Sequence, residues 1–189
     1  MLNAAGYKQH AGVWHTRNYA ADICDLESLH AARLDALEKV DTEFCAYIDR
    51  DDDLPNNTQE QLPRLINAMR QQDAALGYTD YLQRTHEGET VVRPGVYVWA
   101  KHMTQTTLIH QLAVMRTKAA QKIAKRLPRG LYWTEFLLHA KLAQKPSVYF
   151  PEIGYVYNRK NVGMHAHKDI ITAQKNSLQW HLRYDLPTV

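Results

Sequence analysis

The sequence predicts an α/β domain in which a mixed sheet is flanked by helices. Three observations point there. Apolar runs of strand character alternate with segments of helical period, and one hairpin is inserted among them, which favours mixed pairing over a purely parallel sheet. The 189 residues are 45% apolar, enough to build one core. No internal repeat, low-complexity tract or Gly/Ser linker divides the chain, so residues 1–189 are read as a single compact domain.

Residues 1–20 carry no clear period and are expected to be partly irregular. From Asp25 to Val40, Leu26, Leu29, Ala32, Arg33, Ala36 and Leu37 recur at helical spacing and predict an amphipathic helix. Residues 44–49 are mostly apolar, as a buried parallel strand would be. Leu62, Leu65, Ile66 and Met69 mark a second helix, with Asn57 or Thr58 as its cap and Pro63 near its first turn. The runs 75–85 and 90–100 read as strands joined through His86-Glu87-Gly88-Glu89. Residues 107–115 form a further strand candidate, 118–127 a basic helix, and Pro128-Arg129-Gly130 a break. Thr134 is placed to cap a helix over 135–143; short strands over 147–150 and 153–157 and a terminal helix over 169–183 complete the chain.

Composition narrows the function classes. No apolar run approaches the roughly 20 residues needed to span a bilayer. The start, Met1-Leu2-Asn3-Ala4-Ala5-Gly6-Tyr7-Lys8, lacks the apolar stretch of a secretory signal. Cys24 and Cys45 lack metal-motif spacing and are read as small core residues of a reducing compartment. The expectation is therefore a cytoplasmic protein with no membrane partner, in the host cytoplasm if the chain is viral. The net charge of +3 conceals a division: residues 1–60 carry 5 Lys/Arg against 12 Asp/Glu, and residues 61–189 carry 18 against 8. An acidic first third and a basic remainder suit a protein that holds a cation with one part and an anion with the other.

The acidic excess is concentrated in Phe44-Cys45-Ala46-Tyr47-Ile48-Asp49-Arg50-Asp51-Asp52-Asp53, an apolar run ending in four carboxylates within five positions. Anions this close raise one another's pKa or recruit a cation. Hard divalent ions such as Mg²⁺ and Mn²⁺ take oxygen ligands and often bridge protein carboxylates to substrate phosphates, so the cluster reads as a diphosphate–metal site. A solvated acidic loop leading into the next helix is the plainer alternative.

Four pieces follow in order: Asp49-Arg50-Asp51-Asp52, then Arg129-Gly130-Leu131-Tyr132-Trp133, then Thr134-Glu135, then His165-Ala166-His167. This order resembles the GT-A nucleotide-sugar transferases, glycosyltransferase family 2 in particular, over the stretch from Leu29 to His167. In that family an Asp-x-Asp-Asp motif ends a strand, a Gly-containing loop precedes an acidic pair opening a helix, and a late histidine helps hold the metal. The resemblance implies a GT-A-like sheet and Mn²⁺ or Mg²⁺ as cofactor. It gives Asp51 as the leading metal ligand, Asp49 as a second ligand or donor contact, and His167 or His165 as the late ligand. Glu135 stands where the family places its catalytic base, with Thr134 in place of the first acid of the usual pair. Arg33 falls where such proteins carry an Ala-Arg-Asn segment, written here Ala32-Arg33-Leu34, and is assigned to the donor with Arg159 and Lys160. Trp133 and Tyr132 are assigned to the acceptor side. The departure from the pattern is N-terminal: only 48 residues precede Asp49, so the expectation is that the nucleotide-binding half is shortened, that another subunit completes it (as in a homo-oligomer), or that the donor is unusual.

The function expected from these readings is transfer of a sugar from a nucleoside-diphosphate sugar to an acceptor hydroxyl, by inversion if Glu135 is the base. The basic remainder extends this to a polyanionic acceptor such as modified DNA, of the kind glucosylated by some bacteriophage enzymes. Two other classes compete: a non-catalytic shortened GT-A relative that binds nucleotide or nucleic acid, and a metal-dependent phosphohydrolase or nuclease using the Asp cluster and His165/His167, for which Glu135 and Glu152 are the only further carboxylates the sequence offers nearby.

Overall fold

The strand Leu76–Thr85 (β2) runs through the middle of the computed structural model and organises everything around it. The structure describes residues 33–49, 51–99, 101, 109–110, 112–127, 134–159 and 172. In chain order the elements are β1 (Phe44–Cys45), α1 (Thr58–Gln71), β2, β3 (Gly88–Val92), β4 (Val114–Arg116), α2 (Thr117–Ala124), α3 (Thr134–Ala143) and β5 (Ser147–Asn158), with residues 33–38 also helical. The protein is a mixed α/β domain, one sheet flanked by helices.

The two edges of β2 are used differently. Along one edge β5 pairs in parallel from Leu76↔Ser147 to Arg84↔Asn158. Along the other, β4 pairs antiparallel with Leu76 and Gly77, and β3 pairs antiparallel with residues 81–85. β1 extends the sheet beyond β4, again antiparallel, through Phe44↔Arg116 and Cys45↔Met115. The pairing is mixed because the β2–β3 hairpin can only be antiparallel, whereas β5 returns after helices and can run alongside β2.

Helices cover both faces. Leu34 and Leu37, Ala120 and Ile123 of α2, and Leu138 and Leu142 of α3 close over Leu76, Tyr78 and Met115. Leu65, Ile66 and Met69 of α1 close the other face over Val114 and Val148. Each such side chain contributes about 1.5–3 kcal/mol by leaving water. Gln121 ties the layers together at the edge, donating through Nε2 to the carbonyls of Leu37 (2.9 Å) and Val40 (2.8 Å).

Several sequence expectations are corrected. The run 44–49 is a strand only at Phe44–Cys45, it pairs antiparallel, and both residues are half-buried. Its neighbour β4 is three residues long, so there is no ladder to extend. Of the strand expected over 90–100, only the part up to Val92 pairs, because Pro94 has no N–H to give and the chain leaves β2 there. Of the strand expected over 107–115, the described residues pair as a strand at Val114–Arg116, while residues 107, 108 and 111 lie outside the described residues. The two short strands 147–150 and 153–157 are one strand, β5, continuous through the irregular pairing around Pro151. α1 begins at Thr58, so Pro63 lies in its second turn, leaving the carbonyl of exposed Gln59 without its helical donor. Asn57 occupies the cap position but makes no side-chain capping bond. In the first helix the buried stripe is Leu34 and Leu37; the expected positions Leu26, Leu29 and Ala32, and the terminal helix over 169–183 except Thr172, lie outside the described residues.

Candidate functional site

The acidic loop lies along the free edge of β5. Asp53 forms an antiparallel bridge with Val156: the Asp53 N–H donates to the Val156 carbonyl (3.0 Å), and the Val156 N–H donates back (2.9 Å). β5 is thus held between β2 and the loop. This places Asp49, Asp51, Asp52 and Asp53 beside Tyr155, Tyr157, Asn158 and Arg159 at the end of β5, more than a hundred residues later in the chain.

The four carboxylates have separate fates. Asp52 is buried, 9% exposed, and receives hydrogen bonds on both oxygens, from the Tyr155 hydroxyl on Oδ2 and from the Asn158 backbone N–H on Oδ1 (2.8 Å). Asp53 is exposed and accepts from Asn158 Nδ2 (3.0 Å) and, at 3.4 Å, from Arg84. Asp52 and Asp53 thus both face the end of β5. Neither reaches α1, and both are bonded to β5 or the residues around it. Asp49 is paired with Arg33, and Arg33 is held in turn by its guanidinium lying 5.7 Å from the Tyr47 ring centre. The Tyr47 hydroxyl also donates to the Arg33 carbonyl (3.0 Å). Asp51 is exposed, and its carbonyl accepts from Asn158 Nδ2 (2.8 Å).

The electrostatics are those of crowded anions beside a partly dry wall. Burial pushes the Asp52 carboxyl above its ordinary range, and the neighbouring charges of Asp49 and Asp51 push it the same way. The bonds from Tyr155 and Asn158 pull it back down. Burial and then the Asp52 contact drive the Tyr155 phenol far upward, so it is a permanent donor here. Tyr157 is raised likewise, by burial first and then by the charge of Asp52.

The structure brings together Arg33, Asp49, Asp51 and Arg159 of the residues singled out from sequence. Arg159 follows Asn158 directly, its backbone N–H donates to the Arg84 carbonyl (2.9 Å), and its side chain is exposed. Glu135 falls in the first turn of α3, but its side chain lies outside the described residues, as do Tyr132, Trp133, Lys160, His165 and His167. Glu152, invoked for a hydrolase, is paired with Arg64 of α1.

The donor chemistry of the loop suits a hard divalent cation, since carboxylate oxygens are the ligands Mg²⁺ and Mn²⁺ take. Among the described residues no three of His, Cys, Asp and Glu converge into a ready-made cage. Sequence reasoning missed Tyr155, Asn158 and Arg84, because their part in the site depends on a register between β2, β5 and the loop that no local signal encodes.

No family model and no curated protein matches this chain. Among solved structures it is similar to Staphylococcus aureus TarS. Against TarS 1–349 in complex with UDP-GlcNAc the TM-score is 0.57 at 12% identity, over 83% of this chain and 48% of that one. Against TarS itself it is 0.55 at 13% identity, over 84% and 28%. Against TarS 1–349 in complex with UDP it is 0.52 at 13% identity, over 68% and 39%. The chain thus spans less than half the length of each of these structures, and what it shares with them is the fold.

Proposed function

We propose that this protein transfers a sugar from a nucleoside-diphosphate sugar to an acceptor hydroxyl. The observation that carries the reading is the acidic loop at the end of β5. It presents exposed Asp51 and Arg33-paired Asp49 beside the exposed cation of Arg159. Support also comes from the shared fold with TarS, whose structures include UDP and UDP-GlcNAc complexes.

Asp49 and Asp51 would hold Mn²⁺ or Mg²⁺, completed by donor phosphates and, from outside the described residues, by His167 or His165. Such a cation, when bound, offsets the charge that grows on a departing diphosphate. Arg159, Lys160 and Arg33 supply further positive charge to the same oxygens. Glu135 takes the proton of the acceptor hydroxyl as that oxygen bonds to the anomeric carbon. The bond from that carbon to the diphosphate oxygen breaks with its electron pair, leaving the nucleoside diphosphate and an inverted glycoside. Trp133 and Tyr132 form the acceptor wall. A polyanionic acceptor such as modified DNA is favoured by α2 and its following turn. Lys118, Lys122, Lys125 and Arg126 are all exposed there, with no acid among residues 117–127.

The first test is a thermal-shift screen of nucleotide sugars, UDP-GlcNAc included, with and without Mn²⁺. A donor at about 100 times its Kd raises stability by about 2.7 kcal/mol. Asp51→Ala is expected to abolish the Mn²⁺-dependent part of that shift and the turnover. Glu135→Gln is expected to keep the shift while losing transfer by about 100-fold or more. A donor response unaltered by Asp51→Ala would show the metal site to be misplaced.

A further inference from the structure

We propose that Asp52 anchors the acidic loop rather than ligating a cation, and that Tyr155 and Asn158 are the positioning residues that hold Asp49 and Asp51 in place. The inference takes from the reading above what the loop does; how the loop is held rests on its own contacts.

A run of four aspartates within five residues tends to splay, because each carboxylate repels the next. Here Asp51, Asp52 and Asp53 are tied to β5, and Asp49 is paired with Arg33. The Tyr155 hydroxyl donates to Asp52 Oδ2, so one phenol from β5 fixes the middle of the loop. Asn158 holds three more points: its backbone N–H meets Asp52 Oδ1 (2.8 Å), and its side-chain amide donates to the Asp51 carbonyl (2.8 Å) and to Asp53 Oδ2 (3.0 Å). The Asp53–Val156 bridge closes the set. Tyr155 is braced in turn. Its ring stacks on His110 at 5.1 Å and 6°, and His110 Nε2 lies 3.1 Å from both the hydroxyl and the carbonyl of Thr79 in β2. The loop is thereby referenced to the central strand.

Asp52 is unsuited to direct ligation. Both its oxygens are engaged, and a cation could reach Oδ2 only by displacing a buried phenol. A group that orients ligands without touching the metal typically costs about 10–100-fold in metal affinity when removed.

The test separates the two roles by charge and shape. Asp52→Asn keeps the shape and the capacity to bond Tyr155 and Asn158 but removes the charge; Asp52→Ala removes both. Mn²⁺ titration of the full chain, followed by the electron paramagnetic resonance signal of free Mn²⁺, should give wild-type affinity for Asp52→Asn. Asp52→Ala should lose about 10-fold or more. Amide exchange of Asp53 and Asn158 should quicken in Asp52→Ala and stay unchanged in Asp52→Asn. Should Asp52→Ala fail to fold, Tyr155→Phe takes its place, since it removes one oxygen and keeps the stack on His110. Equal loss of Mn²⁺ affinity in Asp52→Asn and Asp52→Ala makes Asp52 a ligand and overturns the proposal. If wild-type protein binds no Mn²⁺, the donor-site reading falls by itself. The anchor is then judged on exchange alone, and unchanged Asp53 and Asn158 protection in Asp52→Ala and Tyr155→Phe overturns it.

Discussion

The chemistry of His110 depends strongly on its surroundings. It is 5% exposed, stacked on Tyr155 and set edge-on to Tyr81 at 5.3 Å. Burial lowers its pKa to about 4, against a smaller upward pull from the Thr79 backbone. The ring is therefore neutral in the native protein, while the unfolded chain takes up a proton near pH 6.5. Its contribution to stability is full above pH 6.5, declines as pH falls, and is exhausted below about pH 4. The shift corresponds to about 3 kcal/mol. Urea unfolding at pH 7, 5.5 and 4.5 should show wild-type protein losing more stability than His110→Phe, which keeps the stack without the titration. Equal losses would exclude the histidine as the cause. The elevated Asp52 carboxyl contributes the opposite slope in both proteins and cancels in the comparison. Cys45 is the plainer case: half-buried against the core, its thiol is pushed up to about 11 by burial, as a small packing residue requires.

At the scale of elements, β5 decides the site, and its irregularity is functional geometry. Pairing with β2 shifts register between Thr79 and Asp80 and again between Asp80 and Tyr81, which turns the second half of β5 toward the loop. Gly154 makes this possible. A Cβ there would lie 2.6 Å from Thr79 Oγ1 and 3.1 Å from Thr79 Cβ, both on a stiff β-branched side chain. Gly154→Ala should cost about 1–3 kcal/mol by overpacking. Gly77→Ala meets the Met69 sulfur at 2.5 Å, but that flexible chain can swing aside, so urea unfolding should show the smaller loss there. A greater loss for Gly77→Ala would mean that β5 is free to shift. This is also where sequence reading broke down. Pro151 and Gly154 punctuate β5 as if it were two strands, and only its partner β2 carries it through. By contrast α1, α2 and the β2–β3 hairpin were legible, because their periods and turn residues are local.

For the whole molecule, charge is divided in space as well as in sequence. Arg64 and Arg70 on α1 are paired with Glu152 and Glu43, and Arg116 with Glu43 and Asp73. Lys118, Lys122, Lys125 and Arg126 are exposed and enter no ion pair among the described residues, which leaves one side of α2 and its following turn positive. If the acceptor is a phosphate polymer, this face should govern the salt dependence of binding. Fluorescence anisotropy of labelled duplex DNA against KCl should then show a log K–log salt slope of about −0.9 per phosphate engaged. Reversal of all four charges to Glu should remove most of that slope while leaving unfolding by urea nearly unchanged. An unchanged slope would assign polyanion contact, if any, to another face.

No helix among the described residues is long and apolar enough to cross a membrane. The sequence by itself determined the α/β class, the helical stripes and the presence of an acidic loop after an apolar run, because period, composition and charge density are written locally. It also nominated Asp49, Asp51, Arg33 and Arg159, which the fold brings to one end of β5. What only the tertiary structure decided is the division of labour among four chemically identical aspartates. Asp52 is buried against Tyr155 and Asn158, Asp49 faces Arg33, Asp53 bridges to Val156 and Asp51 remains exposed. Adjacent residues of one type have the same intrinsic chemistry, and only partners that the fold brings in from elsewhere in the chain, from Arg33 to Asn158, can make them differ.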